Sequence, residues 1–454
     1  MQQRAARGEP TIEKKGYAEP KARRVLLEAL RGRGGKLTRA DAITISGLPE
    51  AETEQALTVL LKEYRSHLSA TETGELVYQF DPSFERRGKL TWRERLATVG
   101  TALWAGFTFL FKISIVVTLV VYFAVFLAML IALIFARRGD DDDDRGFGFG
   151  VADLIWIWGW NPGFGAEPRH RRLSGQPRKP FYKSVFHFVF GPPRAKIDPL
   201  ADEKEILAAI RRRNGRIAAV DVVQLMGWDF DRAEEEATRL LADYGGEPDV
   251  TEDGVVIYVF KDLRKTADGG LGAVRPRAAW ERIEQAAPMT GNAQTTNVGI
   301  GFLNAFNLTA PFWIVPLFEL KTHISLADAS VWIRDFPVVF SALFFAIPLG
   351  RLVREKLARR DRARRNARRG LLARIFSAPS EPRTLESLAP EPALAAALER
   401  DLVLLGGDVA PDDQGRVHYV FPRIERELVA VERERRKAGN EEKDAGAIVF
   451  SSDA

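Results

Sequence analysis

The sequence predicts an integral membrane α-helical protein carrying repeated α+β winged-helix-like modules, two full copies and one truncated copy, and three observations predict it. Residues 26–80 superimpose without gaps on residues 206–260 at a constant offset of 180, so that Leu27, Gly35, Asp41, Gly47, Leu60, Leu61, Tyr64, Gly74, Tyr78 and Phe80 fall on Leu207, Gly215, Asp221, Gly227, Leu240, Leu241, Tyr244, Gly254, Tyr258 and Phe260. A shorter copy keeps the ending, because Leu402, Gly415, Tyr419 and Phe421 reproduce the spacing of Leu61, Gly74, Tyr78 and Phe80. Self-similarity at a fixed spacing marks a duplicated unit. The copies are separated by the most apolar stretches of the chain, the first of which, Ile113–Ala136, exceeds the about 20 residues needed to cross a bilayer.

Bulk composition sets the outer limits. Of 454 residues, 46% are hydrophobic and 28% charged, an ordinary soluble average that conceals the membrane segments. There is no cysteine, so disulfides, thiolate nucleophiles and Cys-ligated zinc or iron–sulfur centres held by this chain alone are excluded. The net charge of +5 is concentrated beside the apolar segments, where anionic headgroups would neutralise it. Residues 1–20 read as a disordered tail, and Met1–Gly16 lacks the apolar run of a secretory signal.

The first module spans residues 21–82 and the second 201–262. In the second, Ile206, Leu207 and Ile210 lie at helical spacing and Asn214-Gly215 ends that helix. A short extended piece follows at Arg216–Ala218, then a helix over Val220–Met226 closed by Gly227. Asp229 or Asp231 caps a third helix whose Ala237, Leu240, Leu241 and Tyr244 share a face. A turn at Thr251–Gly254 joins two strands, in which Val256, Tyr258 and Phe260 alternate to one side. Three helices and a hairpin, in that order, make a winged helix. Tyr64, Tyr78, Tyr244, Tyr258 and Tyr419 are expected in the module cores.

The third helices carry the wrong charge for DNA. Asp231–Tyr244 holds five acids against two bases, and Glu50–Arg65 holds four against two, a field that repels phosphate. Basic residues gather instead around the first helices: Arg23, Arg24, Arg31, Arg33 and Lys36 in one copy, Arg211, Arg212, Arg213 and Arg216 in the other. These read either as a solvated face or as a contact with anionic lipid or an acidic partner.

Residues 96–136 are expected to form an interfacial helix plus the first transmembrane helix. One helix over Val99–Ala136 would run to roughly 57 Å, too long for a single span, so Trp104, Phe107, Phe109 and Phe111 are assigned to the interface with Lys112 at the headgroups. Residues 137–196 form an acidic and aromatic linker. Its Asp140–Asp144 run lacks the glycine turn and closing Glu of a calcium loop and reads as a solvated spacer. Trp156, Trp158 and Trp160 and the segment Phe181–Gly191 fit an aromatic belt, with His187 as filler because no second ligand stands at metal spacing. After a linker at 263–297, residues 298–353 read as a transmembrane hairpin of helices 2 and 3, with kinks expected at Pro311, Pro316, Pro337 and Pro348. The polar Asn304 and Asn307 inside it fit helix packing better than a transport path. Next comes the basic juxtamembrane segment 354–376. Arg351, Arg354, Lys356, Arg359 and Arg360 are the candidate lipid-facing cations, and they place this flank inside. The truncated third module and a C-terminal helix occupy 380–437, and 438–454 is read as a disordered tail. Two, three or four crossings fit the pattern, so modules 2 and 3 are assigned to the cytoplasm and module 1 to either side.

The passages SVFHFVFG at 184–191 and FPVVFSALFFAIPLGR at 336–351 resemble the membrane proteins of cyanobacteria and plastids that are carried in plants as an iron–sulfur cluster biosynthesis family. The resemblance extends over much of the chain from the first span onward. It implies the multi-pass architecture and supplies no catalytic position.

No catalytic, cofactor or metal site is expected. His67, His170, His187, His323 and His418 form no paired-ligand motif, and no Walker loop, GxSxG elbow or helix-opening GxGxxG occurs. The expected function is a non-enzymatic membrane scaffold or adaptor, multi-pass in a bacterial inner membrane, with the lipid bilayer, an unknown protein and self-association as partners and nucleic acid disfavoured. The alternatives are a membrane-tethered DNA-binding transcription regulator and a small transport subunit.

Overall fold

The computed structural model describes residues 18–31, 35–81, 83–87, 92–137, 179–194, 198–267, 275–439 and 448–451. The acidic run at 140–144 and the tryptophans at 156, 158 and 160 lie outside them. The elements run in chain order from α1 (Glu19–Leu30) through β1 (Gly35–Thr38), α2 (Arg39–Ser46), α3 (Glu50–Glu63), β2 (Ser66–Thr71) and β3 (Leu76–Phe80). The long α4 (Trp92–Arg137) and the short α5 (Phe181–Phe190) come next. Then follow α6 (Ala201–Arg212), β4 (Arg216–Ala218), α7 (Ala219–Met226), α8 (Phe230–Tyr244), β5 (Glu247–Val250) and β6 (Val256–Val259). Two further long helices are α9 (Gln294–Thr322) and α10 (Phe336–Ser377). The chain ends with β7 (Arg383–Thr384), α11 (Leu385–Leu388), α12 (Pro392–Leu404), β8 (Asp408–Pro411), β9 (Val417–Val420), α13 (Pro422–Ala438) and β10 (Ile448–Ser451).

Two compact units result. One is built from the described residues of Met1–Lys89, Lys196–Glu284 and Arg362–Ala454. It holds three small antiparallel sheets, ordered β1-β3-β2-β10, β4-β6-β5 and β7-β9-β8. The order helix, strand, helix, helix, strand, strand occurs at 19–80 and again at 201–259. At 383–420 the order is strand, helix, helix, strand, strand, and the segment read as truncated is preceded by the end of α10, whose Leu371, Leu372 and Ile375 are buried in the same core. The first strand pairs with Tyr78 through Leu37, with Tyr258 through Ile217 and with Tyr419 through Arg383. All three tyrosines are buried, as are Phe80, Phe260 and Phe421 two residues on. A fully buried phenylalanine of this kind stabilises by roughly 2–3 kcal/mol. Residues 448–451, within the segment read as a tail, form β10 along the outer edge of β2.

Local chemistry explains the helix ends. Thr38 caps α2 by accepting the Asp41 N–H, while the Asp41 carboxylate accepts the Thr38 N–H at 2.9 Å, a reciprocal box that satisfies two donors at once. Asp221 does the same for the Ala218 N–H at 2.7 Å ahead of α7. Asp229 caps α8 through the Arg232 N–H at 3.0 Å. Gly47 and Gly227 close α2 and α7 in the left-handed conformation, at φ +72° and +73°.

The second unit contains the described residues of Leu90–Ala195 and Gln285–Asp361. Among the described residues, three helices are long and apolar enough to cross a membrane: Val99–Phe135, Gln294–Thr322 and Val331–Ser377. The expected division into an interfacial helix and a separate span is replaced by one continuous α4 of 46 residues, about 69 Å long at 1.5 Å per residue. Nothing in 99–136 stops it, because the stretch has no proline and its glycines lie inside favourable helical context. Likewise the expected juxtamembrane segment is continuous with the third span in α10. Helix α9 runs on through Pro311 and Pro316, and half of its apolar window is buried, against 11% for α4, so α9 is the packed helix and α4 the peripheral one. Leu119, Ile300, Leu303, Val185 and Phe344 form one core, and Phe126, Leu133, Ala310 and Ile314 another. Leu103, Trp104, Phe107 and Leu110 of α4 point outward, an apolar surface that suits lipid rather than water.

Candidate functional site

The seams between the modules carry the buried charge of the first unit. Asp41 is 1% exposed and pairs with Arg211 of α6 at 2.7 Å. Arg211 also donates to the Leu263 and Lys265 carbonyls, and the Lys265 carbonyl accepts from the Thr38 hydroxyl at 3.0 Å. Asp221, at the matching position of the second module, pairs with Arg213 of α6 at 2.7 Å and with Arg435 of α13. Each seam therefore joins the second helix of one module to the first helix or the tail of another. The helix-ending glycines sit in the same seams. A Cβ at Gly47 would come within 3.1 Å of Lys204 and 3.2 Å of Leu200, and one at Gly227 within 3.1 Å of Ala279 and 3.3 Å of Leu372. In the third segment the corresponding short helix holds Ser387 and ends at Ala389.

Both third helices are engaged within the unit. The Tyr244 hydroxyl at the end of α8 donates to the Gly47 carbonyl at 3.0 Å, and burial pushes its pKa upward. Glu234 pairs with Arg423 of α13, whose guanidinium stacks over Phe230 at 3.9 Å. On α3, Glu50 pairs with Arg39 at 2.8 Å and Glu63 with Arg23 and Arg86. The basic residues at the first helices are thus spent partly on internal pairs, which sequence spacing alone did not reveal.

Within the second unit, Asn304 and Asn307 are buried on one face of α9. Their amides donate to the Ser341 carbonyl of α10 at 3.0 Å and the Leu119 carbonyl of α4 at 2.8 Å. Each asparagine stitches α9 to a different helix, the packing role that polar residues commonly take in membranes. Replacing either by leucine is expected to lower the bundle's stability by roughly 0.6–2 kcal/mol, read as earlier thermal unfolding in detergent. Unchanged unfolding with both replaced would remove the packing role.

The candidate lipid-facing cations divide into two kinds. Arg354, Lys356, Arg359 and Arg360 are exposed on α10 and have no ion-pair partner among the described residues. Arg351 differs, because its guanidinium turns onto the C-terminal end of α5. It donates to the Phe188 and Val189 carbonyls, the latter at 3.0 Å, and to the Met289 carbonyl. These are carbonyls left without helical partners, and a cation there also complements the helix dipole. Gly191 makes room for it at φ +84° and ψ +169°, and a Cβ at that position would overlap the guanidinium.

Beside α5 lies a cleft of about 510 Å³ lined by Phe109, Lys112, Tyr182, Lys183, Phe186 and Pro193, among others, with no carboxylate among the described residues of its wall. Lys112 is the one charged residue of the Val99–Phe135 span, and its ammonium lies 4.9 Å over the Phe186 ring. Burial, with Lys179, Lys112 and Lys183 nearby, holds the His187 imidazole below its usual range. An apolar, aromatic and cationic cleft of this composition suits an anionic amphiphile. Among the described residues, no cluster of three or more histidines and carboxylates is placed to hold a metal.

The chain has a chloroplastic relative. It is similar to an uncharacterised chloroplastic protein of Arabidopsis thaliana, At5g03900, at 22% identity over 397 residues, which is 79% of this chain and 73% of the relative. No family model matches the chain, and no solved structure matches it significantly. The likeness fits the plastid-carried group expected from the aromatic motifs, while the iron–sulfur name finds no counterpart in it. The three apolar helices and this relative together suggest membrane association.

Proposed function

We propose that the chain is a non-enzymatic integral membrane scaffold whose three winged-helix-like modules act as one body on one face of the bilayer and bind a protein partner there. The observation that carries this reading is the pair of buried seams, Asp41 with Arg211 and Asp221 with Arg435, which tie residues from all three module segments into a single compact unit. A folded body of this kind is not divided by a bilayer. Residues 87 and 198 therefore lie on the same face. Exposed Arg354, Lys356, Arg359 and Arg360 follow the apolar part of α10 and favour the cytoplasmic or equivalent negatively charged face.

The regulator reading is the weaker one for a physical reason. In DNA-binding winged helices the third helix enters the major groove and needs bases there. Here α8 is acidic and is held by Gly47 on one side and by α13 on another. Crosslinking in native membranes followed by identification of the captured proteins tests the scaffold: a reproducible partner other than this chain is expected. Recovery of nothing except copies of the chain would contradict it, as would a salt-dependent shift of duplex DNA by the purified full-length protein.

A further inference from the structure

The three modules present the same edge, the outer strand of the hairpin, in different chemical states. In the second module that strand is Glu247-Pro248-Asp249-Val250, and in the third it is Asp408-Val409-Ala410-Pro411. Each carries a proline, which removes a ladder donor, and at least one carboxylate, the devices by which natural sheets discourage another strand from adding on. Neither edge carries a further strand among the described residues. The first module's strand, Ser66-His67-Leu68-Ser69-Ala70-Thr71, has neither guard, and it is this edge that β10 covers.

The covering strand pairs with β2 through its backbone. It is four residues long, its register slips between Ile448 and Phe450, and Val449 and Phe450 stay 67% and 64% exposed. Val449 and Phe450 thus add ladder pairing and little apolar burial, so a competitor with better pockets would displace the strand. We infer that the β2 edge is a strand-acceptor site for an uncharged, extended partner segment, and that Ile448–Ser451 is its resident ligand in the same chain. The inference rests on the scaffold reading and names where a partner docks and what its segment looks like.

The test uses a fluorescent peptide of residues 447–452 and three proteins: the full chain, a chain ending at Gly439, and a full chain with Phe450→Pro. The shortened chain is expected to bind the peptide saturably. The intact chain should bind it at least about tenfold more weakly, because a tail on a short linker competes at millimolar effective concentration. Phe450→Pro should behave like the shortened chain, since Phe450 stands opposite Ala70 in the paired register and proline there cannot complete the ladder, and this variant leaves the module itself unaltered should the truncation fail to fold. A peptide carrying the same proline should not bind. Equal binding by intact and tail-free proteins, or no binding by either tail-free protein, overturns the inference. So does a dimer that the peptide dissociates, which would make a second copy the occupant. Captured partners without peptide binding would sink the edge site alone, whereas peptide binding without any captured partner would sink the scaffold reading.

Discussion

Asp221→Ala is expected to destabilise the modular unit by roughly 3–5 kcal/mol, because it takes the buried carboxylate away from Arg213 and leaves Arg435 only its 3.8 Å contact with the exposed Glu432. The carboxylate is inaccessible to solvent and also accepts the Ala218 N–H, so water cannot take over any of its partners without opening the seam. Loss of a helix cap alone would cost only about 1 kcal/mol. The comparison therefore separates a seam from a cap. Thermal unfolding of the full-length protein in detergent measures it, and Arg435→Met made in the Asp221→Ala background should recover part of the loss, since one stranded cation is removed. A drop of 1 kcal/mol or less in the single variant, with no recovery in the double, would reduce Asp221 to a cap and deprive the seam of its energetic role.

Gly191→Val is expected to cost roughly 2–6 kcal/mol in the membrane unit. Its backbone, at φ +84° and ψ +169°, lies in a region that is essentially glycine's alone, and forcing a branched residue there costs about 1–3 kcal/mol. The side chain would also push the Arg351 guanidinium away from the carbonyls that it caps, and overpacking adds about 1–3 kcal/mol. Loss of amide-exchange protection in α5, with α9 unaffected, is the expected signature. Arg351→Ala combined with Gly191→Val should cost less than the sum of the two, because the overlap disappears with the arginine. Wild-type protection of α5 in Gly191→Val would contradict the clasp.

Much of the architecture was legible in the chain because its markers are local. Gly47 and Gly227 end helices with positive φ, Asp41 and Asp221 cap them, and Tyr78, Tyr258 and Tyr419 fill one inward position of each hairpin, so the repeat keeps these types at fixed spacing. The two glycines and the two aspartates have a second task that no spacing discloses. They lie in the seams, whereas the third segment keeps only the ending of the pattern, and its short second helix carries Ser387 and ends at Ala389. The rest was hidden by continuity. The first helix of the third segment is the end of α10, and its arginines resemble a juxtamembrane patch although Leu371, Leu372 and Ile375 interrupt them with a buried stripe. Arg351 looked lipid-facing because its charge follows an apolar span, whereas its acceptors are carbonyls some 160 residues earlier and at Met289, contacts that only the fold supplies. Strand β10 escaped notice because four residues in a charged tail give too short a period to read.

The absence of cysteine makes one measurement unusually direct. Single cysteines at Glu72, Glu252 and Asp413, the exposed hairpin turns of the three modules, and at Ser325, between the second and third spans, can be tested in sealed membrane vesicles with a maleimide that does not cross the bilayer. One body on one face predicts that Glu72→Cys, Glu252→Cys and Asp413→Cys label together from one side and Ser325→Cys from the other. Labelling of Glu72→Cys from the side opposite to Glu252→Cys would place the modules in different compartments and contradict the account.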